Sequence, residues 1–145
     1  DMKPDWTHII IHHSLTKDNL TVSWDAIRKH HMETMGWADV GYHFGVELLP
    51  DGKYHILTGR PLNKEGAHCR ENKMNQHGIG FIFVGNYDEI EPPIEILVKA
   101  APYIKGLMEM FNIIAANVRG HRDYATYKSC PGRKFDMTVL RDLLR

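Results

Sequence analysis

Buried and amphipathic segments alternate along the chain with polar turns. The first strong signal is an apolar, β-branched run over 6–12, and a run this continuous predicts a buried central strand. Further strands are predicted over 41–49, 53–57 and 79–84. The turn at 50–52, Pro-Asp-Gly, joins the second and third strands as a hairpin.

The first and last helices are marked by capping residues. Ser23 is a candidate N-cap for the first helix, and Gly36 is a suitable end for it. This helix would place on one side Trp24, Ile27, His31 and Met35. Asp136 is the predicted cap of the last helix. That helix carries the apolar residues Val139, Leu140 and Leu143.

The middle helix opens at Pro92 and Pro93, which are favoured in a first turn. Apolar residues then recur at helical spacing as far as Phe111. Pro102 lies inside this pattern, and we expect it to kink the helix or to split it in two.

Two long polar loops and a short strand complete the predicted order. Residues 59–77 are rich in Gly, Asn, His and charge, which is typical of a functional loop. A short strand near 117–119 is followed by a loop over 120–134. The order of strand, helix, three strands, helix, short strand and helix predicts an α/β domain, a central mixed β-sheet flanked by helices. We expect residues 1–145 to form a single domain.

Composition narrows the function classes. The 145 residues are 43% apolar and 25% charged, which is ordinary for a globular chain. A formal net charge of zero argues against a nucleic-acid binder, because phosphate binding needs a basic surface. Apolar runs such as Ile9–Ile11 are far shorter than the roughly 18 residues of a membrane span.

Ten histidines are many for this length, and two cysteines accompany them. Two cysteines form at most one disulfide, so the chain is not a disulfide scaffold. His12 ends the first strand, and His121 and Cys130 flank a loop after the late short strand, where an α/β sheet places its sites. Two imidazoles and a thiolate suit one Zn²⁺ ion and leave a position for water. Spacing alone supports this weakly, because it matches no compact zinc motif.

Five motifs in a fixed order strengthen the metal hypothesis. They are Ile-Ile-Ile-His-His-Ser at 9–14, Gly-Tyr-His-Phe at 41–44, Gly-Ile-Gly at 78–80 running to Val-Gly-Asn at 84–86, Gly-His-Arg-Asp at 120–123 and Cys-Pro-Gly at 130–132. This series closely resembles the zinc-dependent N-acetylmuramoyl-L-alanine amidases of the type-2 amidase family, which includes T7 phage lysozyme and the animal peptidoglycan recognition proteins. The resemblance spans residues 6–144.

The resemblance implies a reaction and a metal site. It implies that His12, His121 and Cys130 hold one zinc ion. The reaction it implies is hydrolysis of the amide that joins the lactyl group of N-acetylmuramic acid to L-alanine of the stem peptide. The implied partner is therefore peptidoglycan, in the form of its muramyl peptide.

The resemblance also implies roles for residues around the metal. It places Tyr42 beside the metal and Lys128 next to the scissile carbonyl, and it matches His68 to the substrate groove. Amide hydrolysis passes through a tetrahedral oxyanion, which the Lys128 ammonium would stabilise. An unperturbed pKa near 10 makes Tyr42 a poor general base, so we assign it an orienting role and leave the base open. His77, in the groove loop, is a further candidate for substrate contact.

Several histidines and a thiol have structural interpretations. His13 is the rival of His12 as a ligand, but neighbours on a strand face opposite ways, so only one can face a common metal. The resemblance favours His12. His43 follows Tyr42 on a strand and is expected to be structural. Cys69 is expected to be a free thiol, because a disulfide with Cys130 would destroy the metal site.

Other groups are expected to lie on the surface. His30 and His31 read as a partly exposed pair on a helix. The acidic run is expected to form a solvated loop and helix start, and it comprises Asp88, Glu89, Glu91 and Glu95. Residues 119–145 carry seven Lys or Arg against three Asp, a local charge of +4 that marks a solvated face or an affinity for anionic wall polymers.

The sequence is also compatible with two functions other than an enzyme. A peptidoglycan-binding module without activity is the second hypothesis, and a regulatory protein that binds another macromolecule is the third. The cysteine ligand is often replaced in inactive members of the family, so Cys130 favours the enzyme. No signal peptide is visible at the start of the sequence, and we expect a monomer acting on the bacterial cell wall. It would be a phage lysin released with a holin, or a processed, secreted bacterial enzyme.

Overall fold

A five-stranded mixed sheet organises the chain. The computed structural model describes residues 4–15 and 24–145. The strands are β1 (His8–His13), β2 (Phe44–Leu48), β3 (Tyr54–Thr58), β4 (Gly78–Phe83) and β5 (Val118–Gly120). Their order across the sheet is β3-β2-β4-β1-β5. β1 runs parallel to β4 and β5, β2 runs parallel to β4, and β2 and β3 form the antiparallel hairpin. This arrangement confirms the predicted α/β fold with a central mixed sheet.

In the described part of the chain, four α-helices pack around the sheet. They are α1 (Trp24–Lys29), α2 (Met74–His77), α3 (Ile94–Phe111) and α4 (Met137–Asp142). α1 continues as a π-helical turn over His30–Thr34, and short 3₁₀ turns occupy Glu71–Lys73, Ala115–Asn117 and His121–Asp123. Within the described residues, none of these helices combines the length and apolarity that a membrane span needs.

Alternation along β1 divides the strand between two environments. Ile9 and Ile11 face the main core, where they meet α3 residues such as Ile104. Ile10 faces the other side, with Cys69 and Met74. Each fully buried isoleucine contributes about 1.5–3 kcal/mol of apolar burial. The strand is therefore fixed from both faces, and so is the side chain at its end.

α3 is a single unbroken helix, so the expected split at Pro102 does not occur. Pro102 removes the hydrogen bond to the carbonyl of Val98, but it lies on the exposed side of the helix and the Val98 side chain is 53% exposed. Water can bond that carbonyl on the solvent side. The buried side, with Ile96, Ala100 and Ile104, continues through the proline.

The first and last helices depart from the predicted faces. Ser23 lies outside the described residues, and the Glu47 carboxylate of β2 accepts the hydrogen bond of the Trp24 backbone N–H, at 2.9 Å. Met35 is 51% exposed and not on the buried side. The Met35 N–H bonds the carbonyl of His30, and this wider π turn shifts the phase of the helix.

α4 is capped as predicted, because the Asp136 side chain accepts from the Thr138 N–H at 2.9 Å. Leu140 is buried as predicted, but Val139 and Leu143 are exposed. The positions that share its buried side are Met137, Leu140 and Leu144. The spacing of three and four residues between them is the period of a helix face.

Candidate metal centre and groove

An open groove lies at the carboxyl end of β1. It has a volume of about 820 Å³. Its walls come from the end of β1, the segment around His31 and Trp37, and two loops that contain His68 and Lys128. Carboxyl ends of parallel strands are the usual place for sites in such sheets. The predicted loop over 59–77 supplies one wall and is in part helical, since it includes α2.

Two histidines and a cysteine converge in this groove. One donor atom each from His12, His121 and Cys130 can be chosen so that all lie within 4.8 Å of one another. His12 Nδ1 is 3.7 Å from the Cys130 sulfur, and the rings of His12 and His121 have centroids 4.5 Å apart. Donors around a tetrahedral zinc ion stand about 3.3–3.8 Å apart. The three residues therefore fit one such ion with small adjustments.

A chain of hydrogen bonds fixes the tautomer of His12. His68 Nε2 lies 2.8 Å from the Gly78 carbonyl, which can only accept, so this nitrogen carries the proton. His68 Nδ1 is then an acceptor, and His12 Nε2 donates to it at 2.8 Å. His12 Nδ1 is left with a free lone pair beside the Cys130 sulfur. In metal sites the second ring N–H of a ligating histidine is usually held by a hydrogen-bond acceptor, and His68 fills that place here.

His13 also lines the groove, but its ring is not part of the donor group that includes His12. Its ring accepts the backbone N–H of Tyr87 through Nδ1 at 3.1 Å, on the opposite face of the strand. Its own backbone N–H points to the Cys130 sulfur at 3.4 Å. His13 thus contacts the Cys130 sulfur through its backbone N–H and not through its ring.

The electrostatics suit a cation. Desolvation holds the pKa of His12 well below its usual value and lowers that of His121 to about 4 and that of His68 to about 3. At neutral pH these imidazoles are neutral and keep a lone pair. Desolvation raises the pKa of the Cys130 thiol to about 12, so a thiolate here needs a positive partner. A divalent metal with two neutral imidazoles and one thiolate meets that need.

Tyr42 and Lys128 both line the groove. The Tyr42 ring packs against His12 edge-on, with centroids 5.0 Å apart. Desolvation raises the pKa of Tyr42, so its hydroxyl stays protonated and acts as a donor. Lys128 is exposed at the rim, and its charge helps to lower the pKa of both His12 and His121.

His77 and His8 lie at the far end of the sheet. Gly78 pairs with His8, four residues or about 13 Å before His12 along β1. The His77 ring bonds the main-chain carbonyl of Asp5 at 3.0 Å and does not line the groove. This position gives no support to the substrate contact predicted for His77.

The structural interpretations of the remaining groups largely hold. His43 is fully buried, with ring nitrogens that bond the Lys64 carbonyl and the Gly80 N–H. Both cysteines are free, as expected for Cys69. Asp88 is more than part of a solvated run, because its carboxylate accepts from the Ser129 hydroxyl at 3.0 Å and the Arg133 N–H at 2.8 Å.

Two groove residues were not singled out by sequence. His31 is half-buried, and its Nδ1 accepts from the Gly41 N–H at 3.0 Å, which leaves an N–H on the other nitrogen. Glu71 lies 4.0 Å from His121 Nε2 and accepts from the Tyr127 hydroxyl at 3.0 Å. The ring of Trp37 lies tilted against that of His31, with centroids 4.6 Å apart, and the aromatic residue six positions after His31 was the signal in the sequence. Glu71 had none, because its partners are distant in sequence.

Known proteins share this architecture and these motifs. The profile of the N-acetylmuramoyl-L-alanine amidase family matches residues 2–133. The chain belongs to this family. The amidase is 30% identical over 144 residues to the endolysin of Enterobacteria phage K11. The alignment covers 93% of this chain and 85% of the endolysin. These matches establish a peptidoglycan amidase of the hydrolase class.

Solved structures agree with the assignment. The N-acetylmuramoyl-L-alanine amidase LysC from Clostridium intestinale URNW superposes with a TM-score of 0.81 and 26% identity, over 97% of this chain and 85% of LysC. A variant of the Drosophila peptidoglycan recognition protein LB, solved with tracheal cytotoxin, gives a TM-score of 0.75 and 28% identity, over 95% of this chain and 82% of that one. The fold predicted from the resemblance is therefore confirmed.

Proposed function

We propose that this amidase uses one zinc ion, held by His12, His121 and Cys130, to hydrolyse the bond between N-acetylmuramic acid and L-alanine. The observation that carries the proposal is the convergence of these three donors in the groove, with His12 Nδ1 3.7 Å from the Cys130 sulfur. A bound Zn²⁺ ion would lower the pKa of a water molecule to about 7 and polarise the amide carbonyl.

His68 and His13 position the metal ligands. Both ring nitrogens of His68 are engaged, one with the Gly78 carbonyl and one with His12. This favours a role in orienting His12 over the direct substrate contact implied by the resemblance. The N–H of His13 stabilises negative charge on the Cys130 sulfur.

Tyr42 and Lys128 act on the substrate. The Tyr42 hydroxyl, kept protonated by its raised pKa, donates a hydrogen bond that orients the attacking water or the oxyanion. The same raised pKa argues against Tyr42 as the general base. The Lys128 ammonium, at the rim of the groove, offers positive charge to the oxyanion that forms when the carbonyl is attacked.

The substrate class agrees with the groove and with a relative. We infer that a muramyl peptide lies along the groove, since the recognition protein LB variant of similar structure was solved with tracheal cytotoxin. The enzyme would then act on the bacterial cell wall as a monomer. A phage lysin released with a holin and a secreted bacterial enzyme both remain compatible with this action.

Digestion of purified cell wall tests the proposal. We expect free L-alanine amino termini to appear, to disappear when a chelator is added and to return when Zn²⁺ is restored. Cys130→Ser should abolish the release and retain the fold by circular dichroism. Release of reducing sugar would instead indicate a glycosidase, and wall binding without any release would indicate a recognition module; either result would contradict the proposal.

A further inference from the structure

A second group of metal donors lies beside the first. Cys69, Glu71 and His121 each present one donor atom, and the three atoms lie within 4.8 Å of one another. We propose that these residues form a second, weaker divalent-metal site, and that filling it inhibits the amidase because it draws on His121. The inhibition rests on the proposed function, whereas the metal site itself does not.

The Glu71 carboxylate is held in the orientation such a site needs. Its Oε2 accepts from the Tyr127 hydroxyl at 3.0 Å and from Arg70 Nε at 3.4 Å. Its Oε1 then faces the other two donors, at 3.9 Å from the Cys69 sulfur and 4.0 Å from His121 Nε2. Donors around tetrahedral zinc stand about 3.3–3.6 Å apart, so the loop would close by a few tenths of an ångström.

The donor chemistry is also suitable. Sulfur, nitrogen and oxygen donors together suit Zn²⁺ and the softer Cd²⁺. Cys69 is 2% exposed, but it lines the same groove as the first site, so an ion in the groove can reach it. The Cys69 thiol now points its proton toward Glu71; an entering cation takes that place, the sulfur binds as thiolate, and the proton leaves to solvent.

His121 links the two sites. A neutral imidazole has one nitrogen with a free lone pair, because the other carries the proton. His121 can therefore serve one ion at a time, and an ion bound to Cys69 and Glu71 competes for it with the ion held by His12 and Cys130. When the second ion takes His121, the first ion stays on His12 and Cys130 alone. Binding of the second ion is therefore weakened by the loss of a ligand from the first, and the first ion, now short of one ligand, no longer supports hydrolysis.

Equilibrium dialysis at rising Zn²⁺, followed by elemental analysis, tests the site without using activity. We expect the wild-type chain to bind a first equivalent tightly and a second one weakly. Cys69→Ser should bind only the first, and Glu71→Gln should do the same in case the buried serine disturbs folding. A wild type that keeps a single equivalent over the whole range, or variants that keep two, would overturn the site.

Cobalt identifies which thiolate is involved. Co²⁺ bound to a thiolate gives a near-ultraviolet charge-transfer band. Cys130→Ser should keep such a band through Cys69, and adding Cys69→Ser should remove it; no band in Cys130→Ser would contradict the proposal.

Wall digestion then tests the inhibition. Activity of the wild type should fall as the second equivalent binds, and Cys69→Ser should lose that fall. If the wall is not cleaved at any zinc concentration but two equivalents bind, the proposed function fails and the second site stands.

Discussion

The two ends of β1 carry the same residue type in contrasting surroundings. His8 and His12 lie four residues apart on one face of the strand. His8 is half-buried and bonds the Thr7 hydroxyl beside it. His12 is 1% exposed and meets His68, His121 and Cys130.

The difference between these ends comes from topology. At the carboxyl end, the loops after parallel strands bring side chains from distant parts of the sequence onto one spot. At the amino end, His8 pairs with the start of β4, bonds the Thr7 hydroxyl and packs edge-on against the Tyr124 ring. Among the described residues, it belongs to no group of metal donors. The position of a histidine along a parallel strand, more than its face or its exposure, therefore decides whether it can become a metal ligand.

Replacing His12 and His8 by alanine, each in a separate variant, gives the sharpest test of this comparison. His12→Ala removes a donor from the proposed zinc site, so we expect the tightly bound zinc to be lost and wall hydrolysis to fall to the level of a protein-free control. His8→Ala should retain both. Zinc content by elemental analysis and release of L-alanine termini measure the outcome. Equal losses in the two variants would show that the ends do not differ in this respect.

Removing the two groups proposed to act on the substrate should have the next largest effect. Lys128→Ala and Tyr42→Phe each take away a donor to the developing charge, and such losses cost about 10²–10³-fold in rate. Bound zinc should be unchanged, because neither side chain belongs to the donor set. Turnover on a soluble muramyl peptide, measured with zinc content, checks this. Full activity in both variants would refute the assigned roles.

Breaking the histidine chain should have an intermediate effect. His68→Phe keeps a ring but removes the acceptor that fixes the tautomer of His12, and loss of such a partner typically costs 10–100-fold in metal affinity. His77→Phe is the matched control at the other end of the sheet, with no loss expected. Competition with a chromogenic chelator gives both affinities. An unchanged zinc affinity in His68→Phe would show that the hydrogen bond from His12 to His68 does not support metal binding.

Acid should reveal the buried imidazoles of the groove through their effect on stability. In the metal-free chain the pKa values of His121 and His68 are lowered to about 4 and about 3, against about 6.5 when unfolded. Between these values the unfolded chain binds protons that the folded chain does not, so the free energy of unfolding falls as the pH falls from 6.5 toward 4. The slope is at most about 1.4 kcal/mol per pH unit for each such imidazole.

Urea unfolding at several pH values measures this slope. His68→Phe should flatten it, since one neutral imidazole is gone. A metal-free chain whose stability does not change from pH 7 to 5 would show that the groove imidazoles are not held neutral by folding.

Much of the fold was accessible from the sequence, because its signals are local. The apolar run over 6–12 and the Asp136 cap of α4 depend on neighbours in the chain, and both predictions agree with the structure. The phase change after His30 was not predictable, since a π turn leaves no mark in the apolar spacing. Of the kink or split expected at Pro102, the split does not occur, because burial on the opposite face of α3 outweighs one lost hydrogen bond.

The site also contains features that the sequence predicted and features that it could not predict. His12, His121 and Cys130 are brought together as the motifs implied. Sequence could not show that Glu71 faces His121, because the contact joins two loops 50 positions apart and no pattern of residue types records it. His77 was a candidate for substrate contact because it lies in the same polar loop as His68, and only the direction of the chain through α2 separates them.

The hydrogen bonds of Asp88 affect the local unfolding of the loop that carries Cys130. Its carboxylate ties the segment that bears Cys130 to the exit of β4, and the Lys134 N–H adds a bond to the Tyr87 carbonyl at 2.8 Å. Loops around binding sites usually belong to the least protected parts of a protein in hydrogen exchange. Here the cysteine loop is fastened next to a central strand, so its amides should exchange together with those of β4. The Cys130 thiol then belongs to a segment whose free energy of opening is close to that of global unfolding.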